Sequence, residues 1–425
     1  MNSFSQMAVK LGTQNETVYP FEINNPNLYL DWTKYKDFKD IEILGMGEAT
    51  HGTKEFFEIK AKTFEYLVIN CNYRVFGIEA SYGECNYIND YINSGVGNID
   101  SVMRNFDFWT WRTQEVKDLI LWMKNYNQFK SNSEKICFYG FDMQDIFSPI
   151  KYLLDFVKND SVLEWNKLKN LTKPIISKTF SQAYKDCRTR SSKFADTLRN
   201  IYSSLKDWMS ENKTYFIKNY SNKIFEKFNL CLDNYGQAIR FVSANNDKLF
   251  KMRDSCMAYN IIRIHNLEKA NMFIWAHNGH VYLSHQNNYP SSYGLPMGGF
   301  LKKELGSKYY CIGFVFNQGN FQARENMQKK INIFKQSKAR LKEFSVPIYE
   351  KNTLTNDLST LKLESFFIDL TSSHNSIFTK PGKAYFIGAV FYNKRNSSEV
   401  LIAKKQFDGL IYINKTTRAV PLEFK

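Results

Sequence analysis

Four apolar runs of the sequence end in groups that can move protons. ILGMG is followed by Glu48-Ala-Thr-His51, VFGI by Glu79, CFYGF by Asp142, and FIWA by His277-Asn-Gly-His280. Carboxylates and imidazoles serve as general acids and bases, as metal ligands and as oxyanion contacts. His51 precedes an expected helix start, whose positive end disfavours imidazolium, so a neutral, proton-accepting histidine is expected there. His277 and His280 are two of only six histidines and lie three residues apart. Their spacing permits ligation, base duty or oxyanion contact. Glu79 ends a buried run and needs a charged partner, which a histidine or lysine would supply. Structural alternatives stand beside each reading: Thr50 or Thr53 as a mere helix cap with His51 on the surface, Glu79 in a structural ion pair, and Asp142 capping the next helix.

Lys60 interrupts the apolar stripe Phe56, Lys60, Phe64, which predicts a stem lying over the core, with the ammonium either near Glu48 or Glu79 or snorkelling to bulk water. Trp111 and Arg112, in Phe-Trp-Thr-Trp-Arg-Thr, offer a guanidinium between indole faces that suits an anionic or carbonyl oxygen, or equally serves as a structural cation on the aromatics. Arg188 and Arg190 read as a solvated helix face. The chain has no GxSxG nucleophile elbow, no HExxH and no kinase signature, and the glycines around Glu48 fit neither GxGxxG nor a P-loop. A covalent serine hydrolase is disfavoured. A histidine base acting on water, or a metal site of His and Glu, remains.

These groups need elements to bring them together. Apolar runs at 41–47, 74–80 and 135–142 read as strands, with helical patterns at 53–70 and 113–126 between them. That β-α-β-α-β order predicts an α/β fold with a mostly parallel sheet flanked by helices, and ligands bind such sheets beyond the carboxyl ends of the strands. From 147 to 246 the strand signal gives way to Lys/Asn/Ser-rich helical segments, including 196–209 and 223–240. They read as a helical insertion capping the cleft. A helix at 248–267 and strands at 271–276, 309–316, 366–370, 385–391 and 410–414 complete the pattern. Residues 1–35 read as an N-terminal extension and 36–425 as a single domain.

The 425 residues are 43% hydrophobic and 16% aromatic, enough for a large core and inconsistent with general disorder. The net charge of +15 comes mostly from lysine, with thirteen arginines, and reads as a solvated surface rather than a phosphate-binding one. Seven cysteines, without any CxxC, predict neither a disulfide framework nor a zinc ribbon. With no signal-peptide core and no run of eighteen apolar residues, a soluble cytoplasmic protein without nucleic-acid or membrane partners is expected.

Taken in order, Gly47-Glu48-Ala-Thr-His51-Gly, Ile78-Glu79-Ala, Phe108-Trp-Thr-Trp111-Arg112-Thr-Gln-Glu115, Gly140-Phe-Asp142-Met-Gln, Arg253-Asp254, Trp275-Ala-His277-Asn-Gly-His280, Leu295-Pro-Met297-Gly and Phe407-Asp408-Gly resemble the erythromycin esterase family. The resemblance implies metal-independent hydrolysis, without a cofactor, of the macrolactone ester of erythromycin-type antibiotics, a small-molecule substrate. It implies His51 as general base, with Glu48, Glu79 and His277 as further catalytic residues. It also implies substrate contacts among His280, Trp111, Arg112, Asp142, Arg253 and Met297. This chain has Lys60 where the family often has arginine, which keeps the charge and loses the bidentate fork. In the catalytic reading Glu79 steadies the base while His277 and Lys60 polarise the carbonyl. A metallohydrolase using Glu48, His51, Glu79 and His277 or His280, and a non-catalytic aromatic binding cleft, are the alternatives.

Overall fold

Period-two alternation sorts the side chains of the central strands onto two faces of one sheet. On β3 (Ile43–Met46), β4 (Val75–Ser81), β5 (Cys137–Asp142) and β6 (Met272–Trp275) nearly every residue is buried. Phe76, Ile78, Phe138, Phe273 and Trp275 enter one apolar cluster with Phe56, Phe64 and Leu67 of the helix Lys54–Asn70 and Leu119 and Met123 of the helix Gln114–Asn127. Val75, Tyr139, Phe141, Met272 and Ile274 enter the other, with residues of the helices Ser148–Val157, Asn222–Ser243 and Leu249–Glu268. The computed structural model describes residues 7–23, 32, 37–176, 186, 193–244, 249–285, 294–326, 340–348, 353–393 and 397–423. Cys187, Arg188, Arg190 and Lys248 lie outside the described residues.

The remaining strands are β1 (Met7–Leu11), β2 (Gln14–Pro20), β7 (Tyr309–Glu325), β8 (Leu341–Val346), β9 (Ser365–Asp369), β10 (Gly382–Tyr385), β11 (Val390–Phe391), β12 (Ser398–Leu401) and β13 (Gly409–Thr416). The main sheet runs β1-β2-β9-β13-β7-β3-β6-β4-β5, with β8 and β11 also on β7. From β13 to β5 every pair is parallel, while β1, β2, β9 and β8 join antiparallel. The expected mostly parallel α/β sheet is therefore present. One ordering is not legible in the chain: β3 and β4 are sequence neighbours, yet β6 lies between them.

Between β5 and β6 the described chain is helical, from Ser148–Val157 through Trp165–Ile176, Lys193–Glu211, Lys213–Asn219 and Asn222–Ser243 to Leu249–Glu268. Leu198, Ile201, Leu205 and Trp208 give Lys193–Glu211 the 3.6-residue stripe that buries it. Residues 7–20 form a hairpin whose two-residue turn uses Gly12 at φ 62°, and β2 extends the sheet through β9. The strand expected over 385–391 is instead two. β10 pairs with β12, and β11 pairs with β7. The break lets Ile387 N donate to Ala49 O at 2.7 Å, tying this segment to the turn that carries His51. Cys71, Cys85, Cys137, Cys231, Cys256 and Cys311 are free thiols, and among the described residues no helix is long and apolar enough to cross a membrane.

Candidate active site

Because β3, β6, β4 and β5 are parallel neighbours, the residues following or ending them emerge side by side at one edge of the sheet. Glu48 and His51 follow β3, His277 and His280 follow β6, and Glu79 and Asp142 lie at the ends of β4 and β5. The turn after β3 is tightly enclosed. Its Gly52 carbonyl accepts from Gln322 N and Ala419 N, both at 3.0 Å. A Cβ on Gly52 would lie 2.1 Å from the Gln322 carbonyl oxygen, so only glycine permits this approach.

Glu48 is fully buried and takes three donors. Lys60 Nζ at 2.5 Å and Trp275 Nε1 at 2.6 Å bond its Oε2, and His51 Nδ1 at 2.7 Å bonds its Oε1. With Nδ1 donating, the His51 tautomer leaves Nε2 with a lone pair for a proton. The His51 side chain is 13% exposed, so this dyad reaches the cleft through the imidazole alone. Lys60 is expected from sequence to polarise a substrate carbonyl. Here it has no exposed surface: its ammonium sits on Glu48, 4.1 Å from the Trp275 ring centroid. Lys60 thus acts through Glu48 and does not reach substrate. Burial lowers its pKa to about 8, against the upward pull of Glu48.

A second network lies beside the first. Arg253 holds Asp142 with Nε at 3.2 Å and Nη2 at 2.8 Å, and the same Nη2 meets Glu79 Oε1 at 2.6 Å. Glu79 Oε2 accepts the His277 backbone N–H at 2.9 Å. Burial alone would raise Glu79, but the charges of His280 and Arg253 outweigh it and hold the carboxyl well below its ordinary value. His280 places Nδ1 2.5 Å from Asp254 Oδ1 and Nε2 3.3 Å from Glu79 Oε1. Burial would lower His280, yet these two carboxylates lift it to about 10. Its Nε2 also lies 2.9 Å from Arg253 Nη1. A neutral His280 could accept from that arginine, but three carboxylates, Glu79 and Asp142 on Arg253 and Asp254 on His280, are better balanced by two cations than by Arg253 alone.

This raised pKa has a measurable consequence. Stabilisation from His280 is full below the ordinary value of 6.5 and is lost as pH rises through about 10. Lys60, depressed to about 8, opposes this trend between there and its ordinary 10.5, so the wild-type curve mixes the two. The stability difference between wild type and Asp254→Asn reports the part of the His280 shift that Asp254 supplies, Glu79 exerting the larger charge effect. It should shrink as pH rises toward about 10 in urea titrations, and a constant difference would exclude the linkage.

Several residues expected to meet substrate have their polar atoms or surfaces taken up by the protein itself. His277 Nε2 donates to Ile387 O at 3.2 Å and its Nδ1 accepts Gly279 N–H at 3.3 Å. Burial and the neighbouring His51 keep its pKa well below the usual histidine value. Both nitrogens are engaged, so His277 caps the short helix Asn278–Val281 and supports the His51 ring at 4.9 Å rather than polarising a carbonyl. Trp111 is buried, donating Nε1–H to Glu79 O at 3.0 Å, and Met297 is buried at the start of the helix Met297–Leu305. Asp142 is spent on Arg253. Arg112 donates to the carbonyls of Phe106 and Arg104 and lines a cavity of about 500 Å³ that reaches Asp142 and includes Tyr87, Phe108 and Phe147. Of the proposed metal donors, Glu48, Glu79, His277 and His280 are engaged while His51 Nε2 keeps its lone pair, and Lys60 and Arg253 supply the positive charge a divalent ion would bring. Among the described residues no group of three or more His, Cys, Asp or Glu is arranged to hold a metal.

Two residues of these networks were not singled out as functional in the sequence. Trp275 ends an apolar strand, where its indole N–H is invisible to a hydrophobicity pattern. Asp254 stands beside Arg253 in one of the motifs that carry the family resemblance, but it was given no role of its own. Trp275→Phe keeps the ring and deletes one donor to Glu48. A charge-assisted bond of this kind contributes about 1.5–3 kcal/mol, so the variant should unfold at lower urea, and an unchanged midpoint would argue against the bond.

The sequence model of the family described as Erythromycin esterase matches residues 68–416. Erythromycin esterase type II of Escherichia coli is 30% identical over 131 residues, which is 29% of this chain and 29% of that enzyme. The putative hydrolase YbfO of Bacillus subtilis (strain 168) is 22% identical over 91% of this chain and 86% of its own length. Among solved structures, a succinoglycan biosynthesis protein superposes with a TM-score of 0.77 at 20% identity, covering 95% of each chain. A mutant of the erythromycin esterase EreC in its open conformation gives 0.69 at 14% identity, over 95% of this chain and 98% of that one. With the family's sequence model spanning most of its length and this fold beneath it, the chain belongs to the erythromycin esterase family.

Proposed function

We propose that this member of a hydrolase family cleaves the macrolactone ester of an erythromycin-type antibiotic, and so confers resistance, by attack of water under His51 base catalysis. The observation that carries this reading is the Glu48–His51 contact at 2.7 Å, with Glu48 locked from behind by Lys60 and Trp275. His51 Nε2 takes a proton from water as the water oxygen bonds to the ester carbonyl carbon. Negative charge develops on the carbonyl oxygen beside the partly exposed His280 and Arg253, which stabilise it by their charge while their N–H groups stay on Glu79, Asp142 and Asp254. Collapse breaks the C–O bond, and the proton on His51 passes to the leaving alkoxide. No side chain need become acylated. The nearby hydroxyls of Thr50 and Thr53 bond each other at 2.6 Å and are fully buried. The adjoining cavity, lined by Asp142, Arg112 and other mostly polar residues with Tyr87, Phe108 and Phe147 among them, meets this site at Asp142 and offers room for part of a bulky substrate.

Incubation with fourteen- and sixteen-membered macrolides, followed by mass spectrometry, tests the reading. A gain of one water, with resistance in a sensitive bacterium expressing the chain, supports it. Unmodified macrolide in the presence of folded protein removes the macrolide assignment and leaves another ester as substrate. Binding without a mass change favours sequestration. Loss of activity on chelation would restore the metal reading.

A further inference from the structure

We infer that residues 417–422 form a positioning strap for the active site, anchored by Glu115, that sets the separation between the His51 turn and the Trp111–Arg112 wall. The segment follows β13 and crosses the starts of two helices. At the first, Lys54 N donates to Thr417 O at 3.1 Å, while Thr417 N and Oγ1 donate to the Glu55 carboxylate at 2.8 and 2.6 Å. Ala419 N donates to Gly52 O, the residue directly after His51. At the second, Gln114 N donates to Val420 O at 2.8 Å and Leu422 N to Arg112 O at 2.9 Å. Glu115 Oε1 accepts Val420 N–H at 3.0 Å and its Oε2 accepts the same group at 3.3 Å.

Helix starts have unpaired N–H groups, and a passing strand satisfies them while fixing both helices to one piece of backbone. The same strand reaches the residue after the base and the residue after the Trp111 indole that bonds Glu79 O. The His51 turn follows β3, whereas Trp111 and Arg112 lie at a short 3-10 turn; besides the strap, the His51 and Trp111 rings meet edge-on at 6.4 Å. Glu115 and Thr417 are thus positioning residues: they touch no substrate and act through the backbone of Gly52 and Arg112. The catalytic consequence rests on the esterase reading above, whereas the mechanical coupling does not.

The test compares Glu115→Ala with Glu115→Gln in the full chain. The alanine variant lacks the acceptor and the glutamine variant retains one. Backbone hydrogen exchange should accelerate in Glu115→Ala both near residue 115 and at residues 47–54, remote in sequence, and return toward wild type in Glu115→Gln. On an ester that wild type hydrolyses, kcat should fall about tenfold or more in Glu115→Ala, since small misplacements of catalytic groups are costly. KM should move less. Unchanged exchange at 47–54, or coupled exchange with unchanged kcat, overturns the strap. If Glu115→Ala does not fold, Val420→Pro removes the same N–H donor while leaving Glu115 in place, and is read identically. If wild type hydrolyses no ester tried, the exchange comparison still decides the coupling, and only the esterase reading fails.

Discussion

His51→Ala should lower turnover of a confirmed ester substrate by about 10²–10⁴, the range for removing one positioned acid–base group, while leaving the fold intact. The imidazole is partly exposed and lies upstream of the helix Lys54–Asn70, so its removal leaves no closed cavity in either apolar cluster. Glu48 loses its Oε1 partner but keeps Lys60 and Trp275 on Oε2. Stability should therefore change far less than rate. Single-turnover kinetics on matched concentrations of folded protein, with thermal midpoints for both, separate the two effects. Wild-type turnover in the variant would show that the base is elsewhere.

Lys60→Met should be the most destabilising single change at the site, by about 3–5 kcal/mol, because one partner of a buried ion pair is removed and the other left uncompensated. Both side chains have no exposed surface, so water cannot replace the lost ammonium. Protonation of Glu48 would relieve the cost, but a protonated carboxyl no longer holds His51 in the same tautomer, so activity should fall as well. Adding Glu48→Gln to Lys60→Met should recover much of the stability and none of the activity. Urea midpoints of the two single variants and the double variant give the coupling. A Lys60→Met midpoint within about 1 kcal/mol of wild type would mean that the pair is not buried as described.

The convergence of the site was legible because it depended only on strand polarity: Glu48, Glu79, Asp142 and His277 follow or end apolar runs, and parallel strands end on one side. The position of Lys60 within an apolar helix stripe likewise pointed it at a carboxylate, though not away from substrate. A motif says which residues gather and not which way each faces, and for that reason Trp111 and Met297 read as lining residues when packing had buried them. Trp275 stayed hidden because a hydrophobicity pattern counts an indole as apolar. The β1–β2 hairpin carried a Gly12 turn signal that was weak beside its polar strands. The splitting of 385–391 depends on contacts with Ala49 and His277, far away in the chain, that no local pattern contains.

The place of β6 between β3 and β4 also bears on how the molecule is made. During synthesis the residues of β3, its helix and β4 emerge long before Trp275, which lies 227 positions after Glu48. A strand–helix–strand unit of that kind can close on itself, leaving no slot for the later strand. Native pairing requires the early strands to stay apart, or to separate again, until the helical stretch has been translated and β6 can enter. Glu48 acquires its indole partner only at that moment, and the His51 turn is enclosed later still, when Gln322 and Ala419 reach the Gly52 carbonyl. A nascent or truncated chain ending before residue 272 would carry His51 without the Trp275 bond that helps hold its Glu48 partner.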